Sequence, residues 1–115
     1  MGGFWDLDVY RRALVLARDA HWCVRRWDSL DQWTAGVQLI RAADSVGANI
    51  AEAFGRNRHP DQLRLLYIAR GSRCELQHRV KTAEGRELDV PDAALSRAEE
   101  QARMLNGLLR SLTKH

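Results

Sequence analysis

Hydrophobic residues recur at three- and four-residue spacing through most of the chain, which is the period of amphipathic helices rather than strands. Tyr10, Ala13, Leu14, Ala17, Ala20 and Val24 share one helical face and predict a first helix from about Asp8 to Arg26, opened by Asp6 or Asp8 as N-cap. A second runs from about Asp31 to Phe54 on the stripe Trp33, Val37, Ile40, Ala43, Gly47, Ile50 and Phe54, and Gly55 stops it. After the polar connection Gly55–His59, Pro60 and Asp61 open a third helix in the first-turn positions that suit them. Its inner face is Leu65, Leu66, Ala69, Ser72, Leu76, Val80 and Ala83, and Gly85 ends it. The last begins at Pro91-Asp92, and its seam of Leu95, Ala98, Ala102, Leu105, Leu109 and Leu112 steps by 3, 4, 3, 4, 3. Short links between long helices make sequence neighbours antiparallel, so the expectation is an all-α, up-down-up-down four-helix bundle in one domain spanning residues 1–115.

Composition narrows the classes. At 115 residues, 45% hydrophobic and 29% charged, the chain has enough apolar material for one core and too little length for a two-domain enzyme. Two prolines and eight glycines are too few for a many-turned sandwich or barrel. The two cysteines, Cys23 and Cys74, lack CxxC spacing and read as reduced thiols. Met1 to Asp6 lacks the features of a secretory signal, and Asp6 stands where a myristoylation motif wants Ser or Thr. No apolar run approaches the ~18 residues of a membrane span. These readings point to a cytoplasmic protein with no membrane association.

Net charge is only +3, but it is unevenly placed. From Arg56 to Lys81 seven basic residues face two acidic ones, a local +5, whereas residues 82–115 carry five against six. The basic residues are nearly all Arg, whose planar fork suits phosphate. Arg56, Arg58, Arg64, Arg70 and Lys81 are therefore the candidate phosphate contacts, and the absence of a base-reading pattern implies sequence-independent binding to RNA or DNA.

Two outward stripes, Arg11/Val15/Arg18/Trp22 on the first helix and Tyr67/Gly71/Cys74/His78 on the third, carry apolar residues that a monomer would leave polar. Val15, Trp22, Tyr67 and Cys74 are the candidate subunit contacts. A polar line of Gln38, Arg41, Ser45, Asn49 and Glu52 runs beside the second helix's apolar stripe. Antiparallel pairing sets Arg41 opposite Ser72 and Glu75, giving a structural network of Arg41, Ser45, Asn49, Glu52, Ser72 and Glu75 with Glu75 as partner of a half-buried Arg41. Glu75-Leu76-Gln77-His78 is a lone ExxH, where a di-iron bundle needs two and further inward glutamates. No nucleophile, base and orienting group come together, so neither enzyme activity nor a cofactor or metal is expected.

The stretch from Gln38 to Glu52, QLIRAADSVGANIAE, resembles the Q-L-x-R-A-A-x-S-x-x-x-N-I-A-E signature of a small bacterial four-helix-bundle family. That family includes proteins encoded in intervening sequences of 23S ribosomal RNA genes and the accessory variability determinants of diversity-generating retroelements. Phe54-Gly55-Arg56, the run from Ile68 to Leu76 and the opening Asp6-Leu7-Asp8-Val9-Tyr10 are similar to further elements of it. Ala53 departs from its usual E-G, and Arg73 stands where an apolar residue often follows G-S. The resemblance implies a ring-shaped homo-oligomer, typically a pentamer, with a basic surface. For retroelement members it implies nucleic-acid binding and a partner reverse transcriptase. The sequence-level expectation is a nucleic-acid-binding accessory protein; the alternative is a protein-interaction scaffold encoded in a ribosomal RNA intervening sequence, with no nucleic-acid role.

Overall fold

The computed structural model describes residues 3–113, apart from the Trp5 side chain; Met1 and Gly2, part of the N-terminal targeting question, lie outside them. Among the described residues the chain is all-α, with no strand. Four long helices, α1 (Asp8–Arg25), α2 (Val37–Phe54), α3 (His59–Gly85) and α4 (Asp92–Thr113), form a body of 46 × 22 × 21 Å. In cross-section α2 packs on α1 and α3, and α4 closes the group against the same two, leaving α1 and α3 diagonal.

Helix starts follow local chemistry, though not always at the expected residue. Leu7, not Asp6 or Asp8, occupies the cap position of α1 and offers no side-chain acceptor; Asp6 belongs to the 3-10 turn Phe4–Asp6 and pairs instead with Arg11. Before α2, Asp28 accepts a hydrogen bond from the Asp31 amide at 3.1 Å and caps the turn Ser29–Asp31. A π-helical turn, Gln32–Gly36, then leads into α2. Here Gly36 is required, because a Cβ would stand 2.5 Å from a Val24 methyl and 3.2 Å from the Asp31 carbonyl. Pro60 occupies the first turn of α3 as expected.

The end of α3 is set two residues beyond Gly85. Glu87 adopts a left-handed conformation, φ 62°; its amide donates to the Glu84 carbonyl and that of Leu88 to Ala83, both at 2.9 Å. This is a Schellman termination with a glutamate where glycine is usual, and Leu88 and Ala83 share its apolar contact. The Asp89 carbonyl then accepts from both the Cys23 thiol and the Trp27 indole N–H, each at 3.0 Å, pinning the α3–α4 connection onto the end of α1.

The core has two halves. One gathers Val9, Tyr10 and Ala13 with Val46, Ile50, Leu65, Leu66, Leu105 and Leu109; the other gathers Leu16, Ala20, Cys23 and Trp27 with Leu39, Ala42, Leu76 and Val80. The stripe expected on α3 is buried nearly throughout, with Ser72 half-buried. Two expectations shift. On α1, Leu14 is 51% exposed while Leu16 and Cys23 are buried, because the residues after α3 fold over that flank. On α2, Ala43, Gly47 and Ile50 of the expected stripe are buried, but Trp33 is 76% exposed, and the buried arc extends through Leu39, Ala42, Val46 and Ala53 instead.

Two substitutions test these local accounts. Glu87→Gly relieves the left-handed strain and is expected to raise stability by ~0.5–1 kcal/mol, read as a higher melting temperature. Gly36→Ala forces Val24 aside and is expected to cost ~1–3 kcal/mol despite alanine's better helix propensity. Opposite signs in either variant would show that these contacts do not set the local stability.

Candidate nucleic-acid interface

The basic residues singled out in the sequence lie on or just before α3. Apolar residues turn the other side of that helix inward, so Arg64, Arg70 and Lys81 are exposed together with Tyr67 and Cys74. Arg58, at the helix cap, is exposed too. Among the described residues Arg58, Arg64, Arg70 and Lys81 make no ion pair. Arg56 differs: its guanidinium meets Glu52 at 2.6 Å, one helical turn away, while its carbonyl accepts from the Gln62 side chain at 2.8 Å. The Arg70 guanidinium lies over the Tyr67 ring, 5.1 Å from its centroid, so the cation and the aromatic form one unit.

The residues proposed as subunit contacts thus share the outward side of α3 with the cations. Tyr67 and Cys74 lie between Arg64 and Lys81 along the helix. On the diagonal helix α1, Val15 is half-buried, whereas Trp22 is 55% exposed with the Arg25 guanidinium 4.6 Å from its ring centre.

The polar line on α2 forms only in part. Ser45 donates to the Ser72 hydroxyl, linking α2 to α3 at the waist between the two core halves, and Asn49 donates to the Ser45 carbonyl at 2.7 Å. Arg41 stays outside: it is exposed, and Glu75 pairs with Arg79 at 3.4 Å. Ser72 meets Ser45 rather than Arg41, and this register sets Arg41 level with Leu76, beside Glu75; the two stay apart because both turn outward, where Glu75 is within reach of the arginine one turn on. Glu52 is likewise drawn to Arg56.

Long-range polar contacts between α1 and α4 had no signal in the periodicity. Asp19, 9% exposed, accepts from Arg97 Nε at 2.6 Å and faces Arg18 at 3.5 Å, and Arg12 pairs with Glu100 at 3.1 Å. Only the adjacency of α1 and α4 brings them together; Arg18-Asp19 read alone is a surface pair.

The match to a family model is decisive at this point: the model of the 23S rRNA-intervening sequence protein family covers residues 5–107. The chain belongs to that family. Comparison with curated proteins gives no match. The match takes in α1, α2, α3 and most of α4, so the exposed cations of α3 are carried on the family's own framework.

In this family member, groups of three or more His, Cys, Asp or Glu able to hold a metal are absent among the described residues, and no described helix is long and apolar enough to cross a membrane. Neither cysteine is in a disulfide. Burial, reinforced by the Asp89 carboxylate, pushes the Cys23 thiol up to about 11. Its thiolate fraction at pH 8 therefore falls roughly 100-fold below that of an unperturbed thiol. Alkylation of Cys23 at pH 8 is expected to be at least ~100-fold slower in the folded protein than in urea, followed by peptide mapping. Equal rates would mean that the Asp89 staple over Cys23 is open in solution.

Proposed function

We propose that this family member is a non-enzymatic, homo-oligomeric protein that binds RNA or DNA through the phosphate backbone. The observation that carries the reading is the set of exposed, unpaired cations Arg58, Arg64, Arg70 and Lys81, spread over roughly 35 Å of one helix at 1.5 Å per residue. Elsewhere many arginines are occupied by carboxylates, as at Arg11–Asp6, Arg26–Asp89 and Arg97–Asp19. A cation without a carboxylate keeps its full charge and all its donors for a phosphate. Arg56 contributes field with part of its donor set already taken by Glu52.

The oligomer reading begins from an up-down-up-down bundle. Contacts that run in opposite order along neighbouring helices support that topology: Gly36 on Val24 and Gly47 on Ala13, Asp19 on Arg97 and Val9 on Gln101. Leu14 and Val15 on α1 and Tyr67 and Cys74 on α3 then face opposite sides of the molecule. Two different patches on opposite sides make a head-to-tail contact, the kind that closes into a ring. Arg58, Arg64 and Lys81 frame the α3 patch as a cationic rim.

A second reading, a protein-interaction scaffold, draws on Leu30 and Trp33, 73% and 76% exposed at the π-helical turn. The two readings separate in a salt titration against a structured RNA. Phosphate contact by Z cations gives a log–log slope of about −0.9Z for duplex, and Arg58→Glu with Arg64→Glu is expected to weaken binding at least ~10-fold and flatten that slope by about 2. Unchanged affinity and slope in the double variant would remove the phosphate-contact assignment. Tyr67→Glu is expected to lower the sedimentation mass to that of the 13.1 kDa protomer; an unchanged mass would remove the α3 patch from the subunit contact.

A further inference from the structure

On the side of the molecule away from α3, a cleft of about 350 Å³ opens between the second half of α1 and the start of α4. Arg18 and Trp22 line it from α1 and Arg26 from the cap that follows, at four-residue intervals, and Pro91, Ala94 and Arg97 line it from the α4 side. Its volume is that of a small-ligand site, and its lining is not that of a packing fault. Three arginines and a tryptophan thus line one cleft, and Arg25, outside that lining, lays its guanidinium on the indole ring.

We propose that this cleft takes one unpaired nucleotide, with its phosphate held by Arg18, Arg26 and Arg97 and its base laid against Trp22. The inference rests on the nucleic-acid reading above and adds a second, separate contact to it. The carboxylate pairings are what orient the arginines, through the largely buried Asp19 and the exposed Asp89. Asp19 takes Arg97 Nε at 2.6 Å, which uses one of five guanidinium donors and fixes the plane of the rest. Arg26 is oriented likewise by the Asp89 carboxylate. Against these two carboxylates stand the three arginines of the cleft, so it keeps a charge of +1 and favours an anion. Holding the guanidinium groups in place before the ligand arrives lowers the ordering cost of binding.

Trp22 selects among anions. Arg25 covers one face of the indole, leaving the other for a planar ring; stacking a base there is sequence-tolerant, because every base has a π-face. A carboxylate-rich peptide would meet the arginines and leave the indole unused. A base inside a duplex is already stacked on its neighbours, so the site asks for a single-stranded nucleotide. The same chemistry is present in a free mononucleotide and in an unpaired position of an RNA, and the cleft, rather than the cations of α3, is where the two would bind alike.

This placement also reassigns Trp22. A subunit contact through it would have to bury a ring of arginines, and charge is depleted at the core of such contacts.

The test is equilibrium binding of uridine monophosphate, inorganic phosphate, a short oligouridylate, a polyglutamate peptide and a fully paired, blunt-ended RNA duplex to the full chain and its variants. Uridine monophosphate and oligouridylate are expected to bind in preference to phosphate and polyglutamate. Trp22→Ala is expected to weaken both nucleotide ligands about 5- to 100-fold, the range of one lost base stack, while Trp22→Phe restores most of the affinity. Arg18→Ala with Arg97→Ala is expected to weaken nucleotide and phosphate together. Arg58→Glu with Arg64→Glu is expected to weaken the duplex and leave uridine monophosphate unchanged, so failure of the α3 surface and failure of the cleft give different results. Equal binding of nucleotide by Trp22→Ala and the wild-type chain would overturn the proposal, as would polyglutamate matching oligouridylate. A fall in sedimentation mass in Trp22→Phe, checked by an unchanged melting curve, would place Trp22 in a subunit contact and overturn it as well.

Discussion

The small-residue face of α2 is the constraint on which the rest depends. Ala42, Ala43, Val46, Gly47, Ile50 and Ala53 are all buried, and α2 alone of the helices packs broadly on both α1 and α3. Side chains this short let backbones approach, as at Gly47, where an added Cβ would already be 3.4 Å from Ala13. Once the approach is that close, register has little freedom. Ser45 then finds Ser72 across the waist, and neighbouring turns of α3 fall into place on either side.

That register decides what is left for the surface. With Leu65, Leu66, Ala69, Leu76, Val80 and Ala83 turned inward, α3 must show Arg64, Tyr67, Arg70, Cys74 and Lys81 outward. The cations owe their exposure to the packing of the opposite side, and their freedom to the scarcity of carboxylates nearby. The α1–α4 pairing has the converse effect. It brings Asp19 and Arg97 together from 78 positions apart and organises a charged cleft out of residues that are ordinary surface groups in isolation.

Much of this was legible in the chain, and the misses share a cause. The α3 stripe was readable because its inward residues are large and evenly spaced, and the α4 seam because leucine repeats at 3 and 4, with Leu105 and Leu109 at its buried centre. On α2 the large apolar side chains, Trp33 above all, drew the expected stripe to one side of the true buried arc, which is built from alanines that periodicity weighs lightly. The π-helical turn before α2 further breaks the phase between Trp33 and the helix it leads into. Arg41 was expected opposite Ser72, one turn from the register that the Ser45–Ser72 contact sets, and opposite Glu75, which turns outward to Arg79 instead. The Asp19–Arg97 clamp and the Asp89 staple over Cys23 depend on where the α3–α4 connection lies, and no local pattern encodes that path.

The central claim is that this bundle presents its outward arginines to nucleic-acid phosphates while its core serves only to position them. Ultraviolet cross-linking of bound RNA, followed by peptide mapping, addresses it most directly, because it reads location rather than affinity. Adducts are expected within residues 56–81, on the rim that Arg58, Arg64 and Lys81 form around the Tyr67 patch, and few or none around Leu30 and Trp33. Adducts confined to the Leu30–Trp33 end, with residues 56–81 unmarked, would contradict it.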